Sequence, residues 1–133
     1  MTIYALSTGP AVSGVAIIRV SGDDTKRVIK LLTKGKIPEP RIATLRKINK
    51  INTSELIDEG IILWFPGPES YTGEDMAEFH VHGSKAVIDA LHSSISLIEN
   101  CRLAEPGEFT KLAFQNGKIN LLKAESIAKC SRC

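Results

Sequence analysis

No apolar run in this chain reaches the roughly 20 residues that a membrane span requires. The N-terminus MTIYALSTGP lacks the charged start and long apolar stretch of a secretory signal. Cysteine is scarce: three in 133 residues, an odd number that argues against a disulfide framework. The expectation is a cytoplasmic protein with no membrane contact. An excess of one charge is missing too. Seventeen basic residues face 15 acidic ones, for a net charge of +2. That balance is too even for the field of the whole chain to indicate nucleic acid. There is no G-x-x-x-x-G-K-S/T, so no phosphate-binding P-loop, and no G-x-G-x-x-G. No Ser-His-Asp set has a recognisable frame, and no internal repeat is visible. Cys130 and Cys133 form a C-x-x-C with no chain after it, whereas a redox pair normally opens a helix. As half of a zinc site it would need two more ligands, and His80 with His82 is the only close pair. No metal is expected.

What is present is ordinary globular composition, 43% hydrophobic and 24% charged. The length suits one domain and the start of a second. TIYAL (2–6) reads as a strand. GVAIIRV (14–20) and EGIILWF (59–65) are near-continuous apolar runs, the pattern of strands buried on both faces. Asp23 or Asp24 can cap a helix to about Leu32, with Val28, Leu31 and Leu32 inward. Residues 41–50, rich in Lys and Arg, read as an edge strand. MAEFHVH (76–82) alternates, placing Ala77, Phe79 and Val81 on one face and Met76, Glu78, His80 and His82 on the other. Ser84 caps a helix to about Ile98 with Val87, Leu91, Ile95 and Ile98 as its stripe. After Pro106 a helix over 107–115 stops at Asn116-Gly117, and another begins near Leu121. This order predicts an α+β fold, a mixed sheet with helices on one face.

Three residues invite a chemical reading. Arg19 interrupts an apolar strand and needs a partner for its planar fork of donors. It forms an internal ion pair, snorkels past the strand end, or clamps an anion. Glu78 stands mid-strand between Met76 and His80. It is part of a solvated sheet face, or it reads an amidine-like edge such as that of a pterin or guanine. Lys118 follows the Asn116-Gly117 stop, as a surface cation complementing the helix dipole or as a fixed charge facing a ligand. The loop PGPESYTGED is stiffened by Pro66 and Pro68 and loosened by Gly67 and Gly73.

GVAIIRVSG (14–22), FPGPESYTGEDMAEFHVHG (65–83) and RLAEPGEFTKLAFQNGKINLLKAES (102–126) occur in this order. Together they resemble the N-terminal domain of the tRNA modification GTPase family called MnmE or TrmE, over nearly the whole chain. The resemblance implies a folate-binding fold like that of the glycine-cleavage T protein. It divides the chain into a folate-binding and dimerisation domain (1–118) and the beginning of a truncated helical domain (119–133). It implies that Arg19, Glu78 and Lys118 bind 5-formyltetrahydrofolate or a related one-carbon folate, that no residue here is catalytic, and that the chain forms a homodimer. Tyr71, Phe79 and Phe114 are candidates for sandwiching the pterin. In the full-length protein the family implies a GTPase domain using GTP, Mg and K. It also implies an FAD-dependent partner subunit (MnmG, or GidA) that acts with it on carbon 5 of the wobble uridine in tRNA. Should tRNA touch this domain, the basic segment Arg41 to Lys50 is the expected place. Two departures stand out. The family's first loop resembles TPPGRGG, and here it is STGPAVSG, without the Gly-Arg. The last residues, IAKCSRC, leave the family pattern, so this chain is expected to lack GTPase activity of its own. The alternative is a structural dimerisation module that no longer binds folate.

Overall fold

A computed structural model describes residues 1–7 and 14–119. The elements run β1 (Thr2–Leu6), β2 (Val15–Ser21), α1 (Thr25–Thr33), β3 (Thr44–Asn49), β4 (Leu56–Phe65), β5 (Met76–His82), α2 (Lys85–Ser96), β6 (Cys101–Leu103) and α3 (Glu108–Gln115). The strands form one sheet in the order β3-β4-β5-β2-β1-β6. Neighbours are antiparallel except β1 and β6, which are parallel. The α+β class and the mixed sheet are as expected. The strand over 101–103 was not foreseen, because three residues carry no period to read.

The two faces of the sheet differ. On one, Ala16, Ile18, Val20, Ile62, Ala77, Phe79 and Val81 meet Val28, Ile29 and Leu32 of α1 and Leu91 and Ile95 of α2 in the main core. Phe79 and Ile18 are fully buried, and each such side chain stabilises the fold by roughly 1.5–3 kcal/mol. On the other face Ile3 and Met76 pack against Phe109 of α3, with Leu112 alongside. The expectation of helices on one face therefore fails: α1 and α2 cover one side, and α3 covers one end of the other.

That asymmetry also corrects the reading of β2 and β4 as strands buried on both sides. Their inward residues are fully buried, whereas Ile17, Ile61 and Leu63 are half-buried and Val15 is 50% exposed. An apolar run does not state how much of each face a single short helix will cover. Leu31, expected inward, is 36% exposed, and Ile29, which was not named, is in the core instead. At 100° per residue, Val28, Ile29 and Leu32 share the inward arc and Leu31 leaves it.

Helix ends follow the local chemistry. Ser84 caps α2 by accepting from the Val87 amide at 3.2 Å. Asp24 precedes α1, but its carboxylate does not cap the helix. It accepts from Thr2 Oγ1 at 3.2 Å and Asn100 Nδ2 at 3.1 Å instead, tying α1 to the start of β1 and the approach to β6. The helix expected from Leu121, the helical segment over 119–133 beyond Ile119, and Cys130 with Cys133 lie outside the described residues. So does most of the STGPAVSG loop.

Candidate functional site

Arg19 and Glu78 are direct cross-strand partners on the face that α3 only partly covers. The register sets Leu63, Glu78, Arg19 and Ala5 in one row across β4, β5, β2 and β1. Arg19 Nη2 donates to Glu78 Oε2 at 3.2 Å. His80 Nε2 lies 2.9 Å from Glu78 Oε1, so each carboxylate oxygen has a protein neighbour. A carboxylate has about four lone-pair directions, which leaves Glu78 room for another donor. The Arg19 guanidinium lies 5.5 Å from the Tyr71 ring centroid and 6.0 Å from that of Phe109. Its Nε is buried with no hydrogen-bond partner. A buried, unsatisfied N–H on a charged group costs stability unless something else accepts from it.

Lys118 arrives from the other end of the domain. After α3 the chain turns through Gly117, whose φ is 71°. The Lys118 amide donates to Ala113 O at 2.8 Å and the Gly117 amide to Phe114 O at 3.1 Å. These are the two bonds of a Schellman stop, which needs a left-handed residue and so favours glycine. The turn is fastened to the 66–75 loop, where Asn116 Nδ2 donates to Thr72 O at 2.6 Å. Thr72 Oγ1 and Ser21 Oγ lie 2.8 Å apart, and Ser21 Oγ donates to Glu74 Oε1 at 2.8 Å. Gly67 N donates to Asp75 Oδ1 at 2.9 Å, and the Gly67–Pro68 peptide is cis. Thr72 and Glu74 thus fasten the loop to β2 and to the end of α3, and Asp75 closes it back on Gly67. Gly73, with φ 83°, lets the lysine pass: a Cβ there would stand 3.1 Å from Asn116 Cβ and 3.3 Å from Lys118 Cε.

The result is a cavity of about 340 Å³ with Arg19, Glu78 and Lys118 in its lining. Phe65, Tyr71 and Met76 give it apolar walls. All three residues singled out in the sequence come together. Arg41 also lines it and was not singled out. It is held with φ 63° after the Pro40–Trp64 bridge, donates to Glu69 O, and lies 5.5 Å from the Phe65 ring centroid. Nothing in the local sequence signals that bridge. Of the proposed sandwiching aromatics, Tyr71 is in place. Phe79 is in the main core on the opposite face, and Phe114 is 41% exposed and not in the lining. The ring that meets Arg19 beside Tyr71 is Phe109.

The two histidines of β5 each face a carboxylate. His80 bonds Glu78, and His82 Nδ1 bonds Asp58 at 2.9 Å. Burial raises the Asp58 carboxyl, but hydrogen bonds from the His82 backbone and ring outweigh it, leaving the pKa below the usual value. Among the described residues no group of three or more His, Cys, Asp or Glu could hold a metal ion. No helix among them is long and apolar enough to cross a membrane.

The domain is thus an α+β fold with a charged, aromatic-walled cavity beside a Pro/Gly loop. The family described as GTP-binding protein TrmE N-terminus matches residues 2–118, and the chain belongs to it. It is 87% identical over 128 residues to a tRNA modification GTPase MnmE of Pelagibacter ubique, covering 96% of this chain and 29% of that protein. A tRNA modification GTPase MnmE of Phenylobacterium zucineum is 50% identical over 127 residues, covering 96% of this chain and 28% of that one. A mitochondrial 5-taurinomethyluridine tRNA synthase subunit of Danio rerio is 46% identical, with 25% of its length covered. The chain therefore spans between 25% and 29% of the length of these relatives.

Proposed function

We propose that this chain is the folate-binding and homodimerising domain of a tRNA-modifying GTPase. The observation that carries the reading is the convergence of Arg19, Glu78 and Lys118, from β2, β5 and the turn after α3, on one cavity. A one-carbon folate suits such a lining. Its pterin has an amino-amidine edge for a carboxylate, its rings suit Tyr71 and Phe65, and its glutamate tail suits cations. Arg19 has donors beyond the one that meets Glu78, and a folate carbonyl or carboxylate would accept from them. Arg41 stands as a fourth member of the binding set. The cavity volume falls within the range of small-molecule sites. Bound here, the folate supplies a one-carbon unit; the chain's own residues bind and orient it.

The same reading extends to the whole protein. There, a GTPase domain with GTP, Mg and K, and an FAD-dependent MnmG (GidA) subunit, act on carbon 5 of the wobble uridine in cytoplasmic tRNA. A second copy of this chain would cover the partly open sheet face, where Val15 is 50% and Leu45 60% exposed. The test is calorimetric titration with 5-formyltetrahydrofolate, with the mass in solution measured by light scattering. One folate per subunit of a dimer is the expected result. A folded dimer that binds none would reject the folate reading in favour of a structural dimerisation module.

A further inference from the structure

The near-neutral total charge hides a strong local imbalance. Residues 25–50 contain nine basic residues and one acidic residue, Glu39, a local charge of +8. The rest of the chain must then carry −6 to leave the total of +2. The fold gathers much of that charge on one surface. α1 buries Val28, Ile29 and Leu32 in the core, and this turns Lys26, Arg27 and Lys30 outward. Lys34 and Lys36 continue the surface beyond the helix end, and Arg46 of edge strand β3 joins it from below.

Three of these six cations are held by neutral partners. Lys26 Nζ lies 5.6 Å from the Trp64 ring centroid. Lys34 Nζ donates to Thr53 O and Ser54 Oγ, each at 3.3 Å. Arg46 Nη1 donates to Lys36 O at 3.0 Å. Their charge is oriented but not cancelled. Among the described residues, Lys50 is the one basic residue of the segment in an ion pair, with Glu55 at 3.1 Å. Aligned, unneutralised cations on a rigid helix and strand form a polyanion-binding surface.

We propose that the outer face of α1, with Lys34, Lys36 and Arg46, binds the phosphate backbone of RNA. A membrane fits less well, because α1 buries Val28, Ile29 and Leu32 in the core and leaves Leu31 alone as an exposed apolar residue. The choice of RNA rests on the tRNA-modification reading but not on the folate site, which lies on the opposite face of the sheet. It also shifts the expected contact from Arg41–Lys50 to the helix.

The test measures anisotropy of a labelled, unmodified tRNA transcript against a salt series. Engagement of about five phosphates gives a log–log salt slope of about −4 to −5, at about 0.9 per phosphate. The variant Arg27→Glu, Lys30→Glu, Lys36→Glu should weaken binding by at least about tenfold and flatten the slope by about 2–3. Its Gln counterpart at the same positions keeps the test available should the charge reversal disturb folding. The control Lys85→Glu, Lys111→Glu should bind within about threefold of the parent, as these lysines lie on α2 and α3. Retained 5-formyltetrahydrofolate binding in the α1 variant separates this surface from the folate site. Equal losses in control and α1 variants would overturn the proposal. So would a parent that ignores RNA at low salt, or one that binds phosphatidylserine vesicles but not RNA.

Discussion

Replacing Glu78 by Gln changes one charge at the centre of the cavity and almost no volume. In the parent, Oε2 accepts from Arg19 at 3.2 Å and Oε1 faces His80 at 2.9 Å, with the Glu78 side chain 18% and that of Arg19 24% exposed. Gln keeps an acceptor for one neighbour and presents an NH₂ to the other. If the oxygen stays on His80, donor meets donor at Arg19, whose Nε is already unpartnered. A hydrogen bond to a charged group is worth about 1.5–3 kcal/mol and a neutral one about 0.5–1.5 kcal/mol. The difference is about 1–1.5 kcal/mol, and partial exposure of both groups puts the net loss near 1 kcal/mol. For a domain of this size that lowers Tm by about 3–6 °C. Loss of the charge-assisted contact to the pterin costs about 1.5–3 kcal/mol of binding, a rise in Kd of about 10–100-fold. Thermal unfolding and calorimetry with 5-formyltetrahydrofolate on the same samples measure both. A Kd within twofold of the parent would show that Glu78 does not hold the ligand. A stability loss above about 4 kcal/mol would show that the carboxylate serves the fold first.

Gly73→Ala should lower folate affinity more than stability, because the new Cβ presses on Asn116 and Lys118 at 3.1 and 3.3 Å and a left-handed alanine costs about 1 kcal/mol; calorimetry beside denaturant unfolding reads the ratio. Phe79→Ala, at a fully buried core position, should cost about 3–5 kcal/mol, read as a fall in the urea midpoint with the slope unchanged. His92 has a buried, unpartnered Nε2 under the Tyr4 ring, centroids 5.5 Å apart, and burial lowers its pKa below 6.5 while Asp89 opposes the shift. The folded state then binds fewer protons than the unfolded one, so this contribution to stability is whole above pH 6.5, begins to be lost below it, and is gone once pH has fallen through the lower folded-state value. His92→Leu should lose less stability than the parent between pH 7 and 5.5, and equal slopes in urea unfolding would reject that origin.

The strands, the two long helices and the Gly117 stop are legible because each depends on residues close in sequence. Alternation at 76–82 separates Glu78 from Phe79, and the observed faces agree. What local pattern does not carry is register and coverage. That Arg19 sits opposite Glu78 follows from β2 pairing β5 across 59 positions of chain, and nothing near either residue declares it. The place of α3 on the second face depends on Phe109 finding Ile3 and Met76, three residues from three distant segments. Arg41 entered the cavity unseen for the same reason, since its position hangs on Pro40 meeting Trp64. The trio was nameable because each member was locally odd: a cation in an apolar strand, an acid mid-strand, a lysine after a helix stop.

The incomplete cover of the second sheet face explains why these oddities fall where they do. A sheet closed on both sides by helices would leave no room for a half-buried ion pair, and Arg19 would have to be apolar or fully satisfied. A sheet open on that side would leave Arg19 and Glu78 in water, where neither could hold a ligand strongly. α3 takes the middle course. It packs Phe109 against Ile3 and Met76, stops at Gly117, and hands the chain to Lys118 at the edge of the gap. The pinned loop over 66–75 supplies the remaining wall. The cavity is therefore a consequence of helix length: eight residues cover one end of the face, and the Schellman stop sets both where cover ends and where the third charge enters. Straining the stop by replacing Gly117 with Ala should thus act on the ligand before it acts on the fold. No atom lies within 4 Å of the added Cβ, so the direct cost is the roughly 1 kcal/mol of the left-handed backbone. Displacing Lys118 should remove a charged contact and raise the folate Kd by about tenfold or more. A variant as destabilised as this but with unchanged affinity would show that Lys118 faces solvent rather than the ligand.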